Sequence, residues 1–156
     1  MQKAFLVVIA FGAVIGLLWP SAKAPSSVGA AASSSSQVRE TVLERSENGH
    51  FYAHVEVNGE LVRFMIDTGA TTVAITEKDA ARVGLKFSPD DYEEVGMGAG
   101  GPIRGKLVTL DKVVMDGKEA RGVEGTILQG GGMNLLGQEF LARFSVEMRG
   151  DTMRIY

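Results

Sequence analysis

Asp67 is the residue of this sequence best placed for chemistry. It follows three apolar residues, Phe64-Met65-Ile66, and precedes Thr68-Gly69-Ala70-Thr71-Thr72. A carboxyl group at the end of a buried strand is costly unless it is paired, hydrogen-bonded or protonated. A carboxyl held there can take a proton from water or return one to a leaving group. The plainer reading is an aspartate that accepts N–H bonds from its own turn, and a motif this short does not decide between the two.

Other spacings invite chemistry less well. Gly96-Met97-Gly98-Ala99-Gly100-Gly101 has the glycine pattern of a dinucleotide-binding loop, which needs a buried strand before it and a helix after it. The acidic stretch Asp90-Asp91-Tyr92-Glu93-Glu94 precedes it and Pro102-Ile103-Arg104-Gly105 follows, so a β-hairpin is expected instead. Gly100 to Lys106 fits most of a phosphate loop, but Leu107 stands where a hydroxyl must bind Mg²⁺. His50 and His54 share one face of an expected strand without a third ligand, and read as solvated side chains. Gly130-Gly131-Gly132 suits an anion nest or a flexible connection equally. No metal and no cofactor is expected.

The elements that position Asp67 are short strands. Phe51, Ala53, Val55 and Val57 alternate with polar residues up to Asn58-Gly59, a strong hairpin signal, and Leu61 to Ile66 is the returning strand. Thr71 to Thr76 is β-branched enough for a third strand. Thr76 then caps a short helix through Val83 that Gly84 closes. Further strands are expected at Ile103 to Leu110, Lys112 to Met115, Ala120 to Leu128 and Phe144 to Met148, with turns at Asp116-Gly117 and Gly150-Asp151. Gln138 to Arg143 reads as a second short helix. These elements add up to a mainly β domain folded as a compact barrel.

What precedes the domain obeys other rules. The chain has 156 residues and net charge -3, and residues 1 to 38 carry Lys3 and Lys23 with no acid, which leaves -5 on the remaining 118. That length suits one domain. Its acidity argues against nucleic acid as a partner, and the absence of cysteine excludes a disulfide scaffold, a thiol nucleophile and a thiolate zinc site. Ala4 to Pro20 is uncharged and apolar, with Trp19 where indole favours an interface. Its length lies at the lower edge of what spans a bilayer, roughly 17 to 25 residues. A membrane anchor at residues 1–20 is favoured over a cleaved signal, because Ala30-Ala31-Ala32 lies far beyond the apolar run and Pro25 follows Ala22-Lys23-Ala24. Residues 21–48 are expected to be a Ser/Ala-rich linker, and the folded domain is expected over 49–156.

A second element bears on Asp67: Asn134-Leu135-Leu136-Gly137, followed by Gln138-Glu139-Phe140-Leu141. With the apolar strand into Asp67-Thr68-Gly69-Ala70 and the glycine-rich hairpin between, the chain resembles the retropepsin-like aspartic proteases, the single-lobe relatives of pepsin. It is similar in particular to a bacterial subgroup with an N-terminal membrane segment. The resemblance covers about residues 49 to 156. It implies an all-β, retropepsin-like closed barrel with a flap hairpin and one or two short helices, preceded by a transmembrane helix. It also implies a catalytic role for Asp67, with Thr68 bracing the paired loops and Gly69 bringing N–H groups to the carboxylate within the loop that Ala70 completes. Met97, Gly98, Ala99, Gly100 and Gly101 would tip a flap closing over a peptide, and Asn134, Leu135, Leu136 and Gly137 would support the loop. The flap departs from the Thr-Ala-Asn-Gly that many bacterial relatives carry.

Aspartic proteases are the standard case of two carboxylates sharing one proton, because like charges about 3 Å apart cannot easily both ionise. This sequence has a single Asp-Thr-Gly. Asp111, Asp116 and Asp151 lack the apolar strand and the Thr-Gly turn. The resemblance therefore implies a homodimer with Asp67 of each subunit on the two-fold axis. The expected protein is an aspartic endopeptidase acting on peptides or proteins, anchored in a bacterial inner membrane with its catalytic domain in the periplasm, or exported if the N-terminus is cleaved. Ala70 offers no hydroxyl to the carboxylate, so activity is expected at mildly acidic pH. The alternative is a non-catalytic peptide-binding module on the same barrel.

Overall fold

The computed structural model describes residues 38–98 and 100–156. The expected membrane anchor, most of the expected linker, and Ala99 lie outside the described residues. Among the described residues no helix is long and apolar enough to cross a membrane.

The fold is mostly β, with ten strands and two short α-helices among the described residues. In chain order the strands are β1 (Thr41–Glu44), β2 (Tyr52–Val57), β3 (Glu60–Ile66), β4 (Val73–Thr76), β5 (Glu93–Gly98), β6 (Gly101–Met115), β7 (Lys118–Leu128), β8 (Leu135–Leu136), β9 (Val146–Arg149) and β10 (Thr152–Ile155). Helix α1 (Glu77–Arg82) follows β4, and α2 (Gln138–Leu141) follows β8. Seven strands form one sheet in the order β2-β3-β8-β4-β7-β6-β5, and β6 also pairs with β2 through Glu56–Val114 and Val57–Val113. A second sheet is three-stranded, β1-β10-β9.

Local chemistry explains most of these elements. Asn58 (φ 51°) with Gly59 (φ 95°), and Asp116 (φ 48°) with Gly117 (φ 81°), supply the paired positive φ values of two-residue hairpin turns. The Thr76 hydroxyl accepts the Asp79 N–H at the start of α1, and Gly84 (φ 81°) ends it. The inward-facing residues Val55, Val57, Phe64, Val73, Ile75, Leu110, Val123, Ile127, Leu136 and Phe140 are wholly buried and form one core. Each large apolar side chain buried there stabilises the fold by about 1.5–3 kcal/mol.

Two of the departures from expectation bear on the frame of the domain. Residues 103–110 and 112–115, expected as two strands, belong to the single strand β6. The inward parity changes between Leu110 and Val113, which breaks the period-two pattern, while backbone pairing runs on from Leu110–Val123 to Lys112–Arg121. Opposite Asp111, Gly122 adopts φ 60° and absorbs the change of face. The sheet of β1, β10 and β9 also brings Thr41–Glu44 into the domain, ahead of the boundary expected at residue 49. The lead into β1 is fastened to the β6–β7 turn. The buried Lys118 ammonium donates to the Arg39 carbonyl, the Thr41 hydroxyl donates to Asp116 Oδ2 at 2.7 Å, and the Arg39 N–H donates to the Asp116 carbonyl at 3.0 Å.

Candidate active site

Strand β3 delivers Asp67. Val62, Phe64 and Ile66 point into the core, whereas Arg63 and Met65 lie on the other face and Asp67 follows half-buried. β3 runs parallel to β8, with Met65 opposite Leu135 and Ile66 opposite Leu136. The Met65 N–H donates to the Asn134 carbonyl (2.9 Å) and the Asp67 N–H to the Leu136 carbonyl (3.1 Å). The Asp67 loop and the Asn134–Gly137 segment, 70 residues apart by the Asp67–Gly137 numbering, are thus one hydrogen-bonded unit.

Within the loop, the Gly69 N–H donates to Asp67 Oδ1 at 2.9 Å, and the Ala70 N–H donates to the Asp67 carbonyl at 3.2 Å. A Cβ on residue 69 would lie 3.3 Å from Oδ1, so glycine lets the backbone approach the carboxylate. Thr68 and Gly69 are exposed, and the Thr68 hydroxyl has no hydrogen-bond partner among the described residues. Ala70 is half-buried.

The supporting segment works mainly through its backbone. Gly137 is buried against the loop: a Cβ there would lie 2.1 Å from the Thr72 carbonyl oxygen and 2.7 Å from that of Ala70. Beyond it, the first N–H groups of α2 point back, Gln138 to the Ala70 carbonyl and Glu139 to the Thr71 carbonyl, both at 2.9 Å. Leu136 fills the core, and Leu135 pairs with both Met65 and Ala74. Asn134 is buried and fully used. Its Oδ1 accepts the Thr76 N–H (2.8 Å), and its Nδ2 donates to Asp79 Oδ2 (2.7 Å) and the Arg63 carbonyl (3.0 Å).

Sequence reasoning did not single out three interactions. Gln138 Nε2 donates to the Thr68 carbonyl at 2.8 Å, the Thr72 and Thr126 hydroxyls join at 2.9 Å, and Asp79 ties Asn134 to Arg82 Nη1, 2.6 Å from its Oδ1. Burial pushes the Asp79 carboxyl up, but hydrogen bonds from Asn134, Arg82 and Thr76, with the Arg82 charge, outweigh it and hold the group below its usual value. The polar residue just before Leu135-Leu136-Gly137 was the available signal for this network. Nothing in the spacing of Gln138 foretold its side-chain bond.

The hairpin expected as a flap is present. β5 and β6 pair down to Gly98–Gly101, with Gly100 in the turn, and Ala99 is outside the described residues. Met97 is 71% exposed near the tip. Gly98 packs on Ile103, whose Cδ1 would lie 2.9 Å from an added Cβ. Among the described residues the tip makes no hydrogen bond to either loop. His50 and His54 are both exposed, and among the described residues no group of three or more potential ligands gathers around a metal site.

Comparison with known proteins agrees with this geometry. Residues 53–143 match the family described as "gag-polyprotein putative aspartyl protease". The structure resembles that of a retropepsin-like aspartic protease from Rickettsia conorii with a TM-score of 0.63 and 30% identity, over 75% of this chain and 90% of that one. Among curated proteins, an uncharacterized protein of Rickettsia prowazekii (strain Madrid E) is 34% identical over 111 residues, covering 70% of this chain and 48% of that protein. An uncharacterized protein from the region 5′ of cobV in Sinorhizobium sp is 30% identical over 120 residues, 75% of this chain and 52% of that protein. The chain thus spans about half the length of the curated relatives it matches. With strand β3, the Asp67 loop and the Leu135-Leu136-Gly137 support inside the matched span, the chain belongs to the retropepsin-like aspartic protease family.

Proposed function

We propose that the chain is an aspartic endopeptidase active as a homodimer, in which the Asp67 carboxylates of two copies activate water between them. The observation that carries this reading is the setting of Asp67: a half-buried carboxylate at a strand end, with one oxygen held by the Gly69 N–H at 2.9 Å and its loop braced by Gly137 and α2. A loop this well supported holds its acid in place without solvent rearrangement.

One carboxylate cannot be both proton acceptor and proton donor at the same moment. In the paired arrangement the ionised member takes a proton from the attacking water, while the protonated member polarises the scissile carbonyl and then protonates the leaving amine. The chain supplies one such acid, so the second comes from a second copy, and the exposure of Thr68 and Gly69 leaves the loop open to its counterpart. The hairpin of β5 and β6, with Met97 exposed near its tip, would cover the peptide. The return of β6 onto β2 supports a closed barrel as the frame. We propose further that the apolar run of residues 4–20 holds the domain at a bacterial inner membrane, on the periplasmic side, where tethering raises the concentration of one copy around another.

The test is to map cleavage of a diverse peptide library between about pH 3 and pH 8 by the full chain, wild type and Asp67→Asn. Products from wild type alone, greatest at mildly acidic pH, are the expected result. Equal cleavage by both proteins would remove Asp67 from the mechanism. Binding without cleavage by wild-type dimer would make the chain a peptide-binding module.

A further inference from the structure

Met65 lies two residues before Asp67, on the face of β3 that the core does not use, so their α-carbons are about 7 Å apart along the chain. Beside Met65 opens a cavity of about 440 Å³. Tyr52, the cross-strand partner of Met65, is part of its lining, together with Arg63, Met133 and Lys78 from the first turn of α1. Gly131 and Gly132 also line it, and a Cβ on Gly132 would meet nothing within 4 Å, so the cavity is roomy there.

Its charges are unbalanced. The Arg63 guanidinium lies over the Tyr52 ring, 3.9 Å from the centroid, which steadies it at the cavity. Neither Arg63 nor Lys78 has an ion-pair partner among the described residues. The one acid in the lining, Asp79, is already engaged: Arg82 holds Oδ1, and Asn134 and Thr76 hold Oδ2. Two cations therefore remain uncompensated around a space with methionine walls.

We propose that this cavity is a substrate subsite that takes a carboxylate side chain, Glu or Asp, lying within a few residues of the scissile bond. The methionines would pack on its methylenes, Lys78 would meet it as a point charge, and Arg63 would offer its planar fork. The proposal rests on the reading of the Asp67 loop as the peptide-cleaving site.

The experiment uses the full chain and peptide pairs that differ only by Glu against Gln at successive positions around a mapped cleavage bond. At one position the wild type should favour Glu by about tenfold in kcat/KM, a factor worth about 1.4 kcal/mol, and the preference should shrink in high salt. Arg63→Gln with Lys78→Gln should bring the ratio near one, and Arg63→Glu with Lys78→Glu should turn it toward Gln. Lys78→Gln alone gives an intermediate ratio and keeps the test open if the double variants fold poorly. Cleavage with no Glu preference at any position, or a preference that these variants leave unchanged, would overturn the subsite while the peptidase reading stands. Binding by Asp67→Asn of labelled library peptides that differ only by Glu against Gln, read by fluorescence anisotropy, separates the two ideas. Glu-selective binding that depends on Arg63 and Lys78 upholds the subsite even where wild type cleaves nothing, and equal affinities overturn it.

Discussion

Gly137 and Thr72 approach so closely that any β-carbon on residue 137 would stand 2.1 Å from the Thr72 carbonyl oxygen. The contact is backbone on backbone, so no rotamer change relieves it. Gly137→Ala must therefore separate β8 from the Asp67 loop, and the hydrogen bonds from Gln138 and Glu139 to that loop go with it. We expect a loss of at least about 3 kcal/mol, at the upper end of overpacking costs, seen as a lower urea midpoint, together with loss of the proposed peptide hydrolysis. An unchanged midpoint would show that the loop and α2 are not coupled as described.

Gln138 braces the same loop with its side chain. Its Nε2 donates to the Thr68 carbonyl at 2.8 Å. Gln138→Leu removes this bond and should cost about 1 kcal/mol. Gln138→Glu, nearly the same shape, places an acceptor against an acceptor near Asp67 and should cost more than leucine at neutral pH. Thermal melting of the three proteins at neutral pH checks the order. If Glu matched wild type, the bond would not be holding Thr68.

How much of this was legible beforehand depends on whether a feature is local. Asn58-Gly59 and Asp116-Gly117 announce their turns because paired positive φ is a property of two adjacent residues. Asp67 and Leu135-Leu136-Gly137 are visible as motifs, yet the reason for Gly137 lies in the Thr72 carbonyl, which only tertiary contact supplies. The continuity of β6 was hidden because the change of face near Asp111 is taken up by Gly122 on the neighbouring strand. Strand β1 escaped notice because Thr41–Glu44 is short and gains its meaning from β10, more than 100 residues away by the Thr41–Ile155 pairing. The cavity beside Met65 gathers residues from β2, β3, α1 and the loop before β8, which no linear pattern groups.

Asp79 gives the domain an acid-sensitive joint. Its carboxyl is held below the usual aspartate value of 3.8, so the folded form binds that proton less readily than the unfolded chain. The stabilisation is fully present above that usual value and is lost as pH falls through the lowered folded value. Asp79→Asn should therefore flatten the dependence of stability on pH in that acidic window and lower stability at neutral pH. Urea unfolding at a series of pH values compares the two slopes, and parallel curves would exclude Asp79 as a source of the acid response.

Gly105 stands where the β5–β6 hairpin leaves the sheet. It is buried opposite Leu128, and a Cβ there would lie 2.6 Å from the Ile127 carbonyl oxygen and 2.8 Å from Thr126 Cγ2. The methyl group of Gly105→Ala cannot enter without lifting β6 from β7, and the hairpin turns with β6. Thr126 is bonded to Thr72 in the Asp67 loop, so the shift also reaches the site from below. If the hairpin covers substrate as proposed, Gly105→Ala should raise KM about tenfold or more, beyond what its lowered melting temperature explains, and amide exchange should quicken along residues 93–104. Val95 offers a further check, because its Cγ2 would sit 3.3 Å from the new methyl and Val95→Ala makes room on that side only. Pairing Val95→Ala with Gly105→Ala should recover little, since the Ile127 carbonyl is the closer obstacle. Full recovery would place the constraint within the hairpin instead of between β6 and β7.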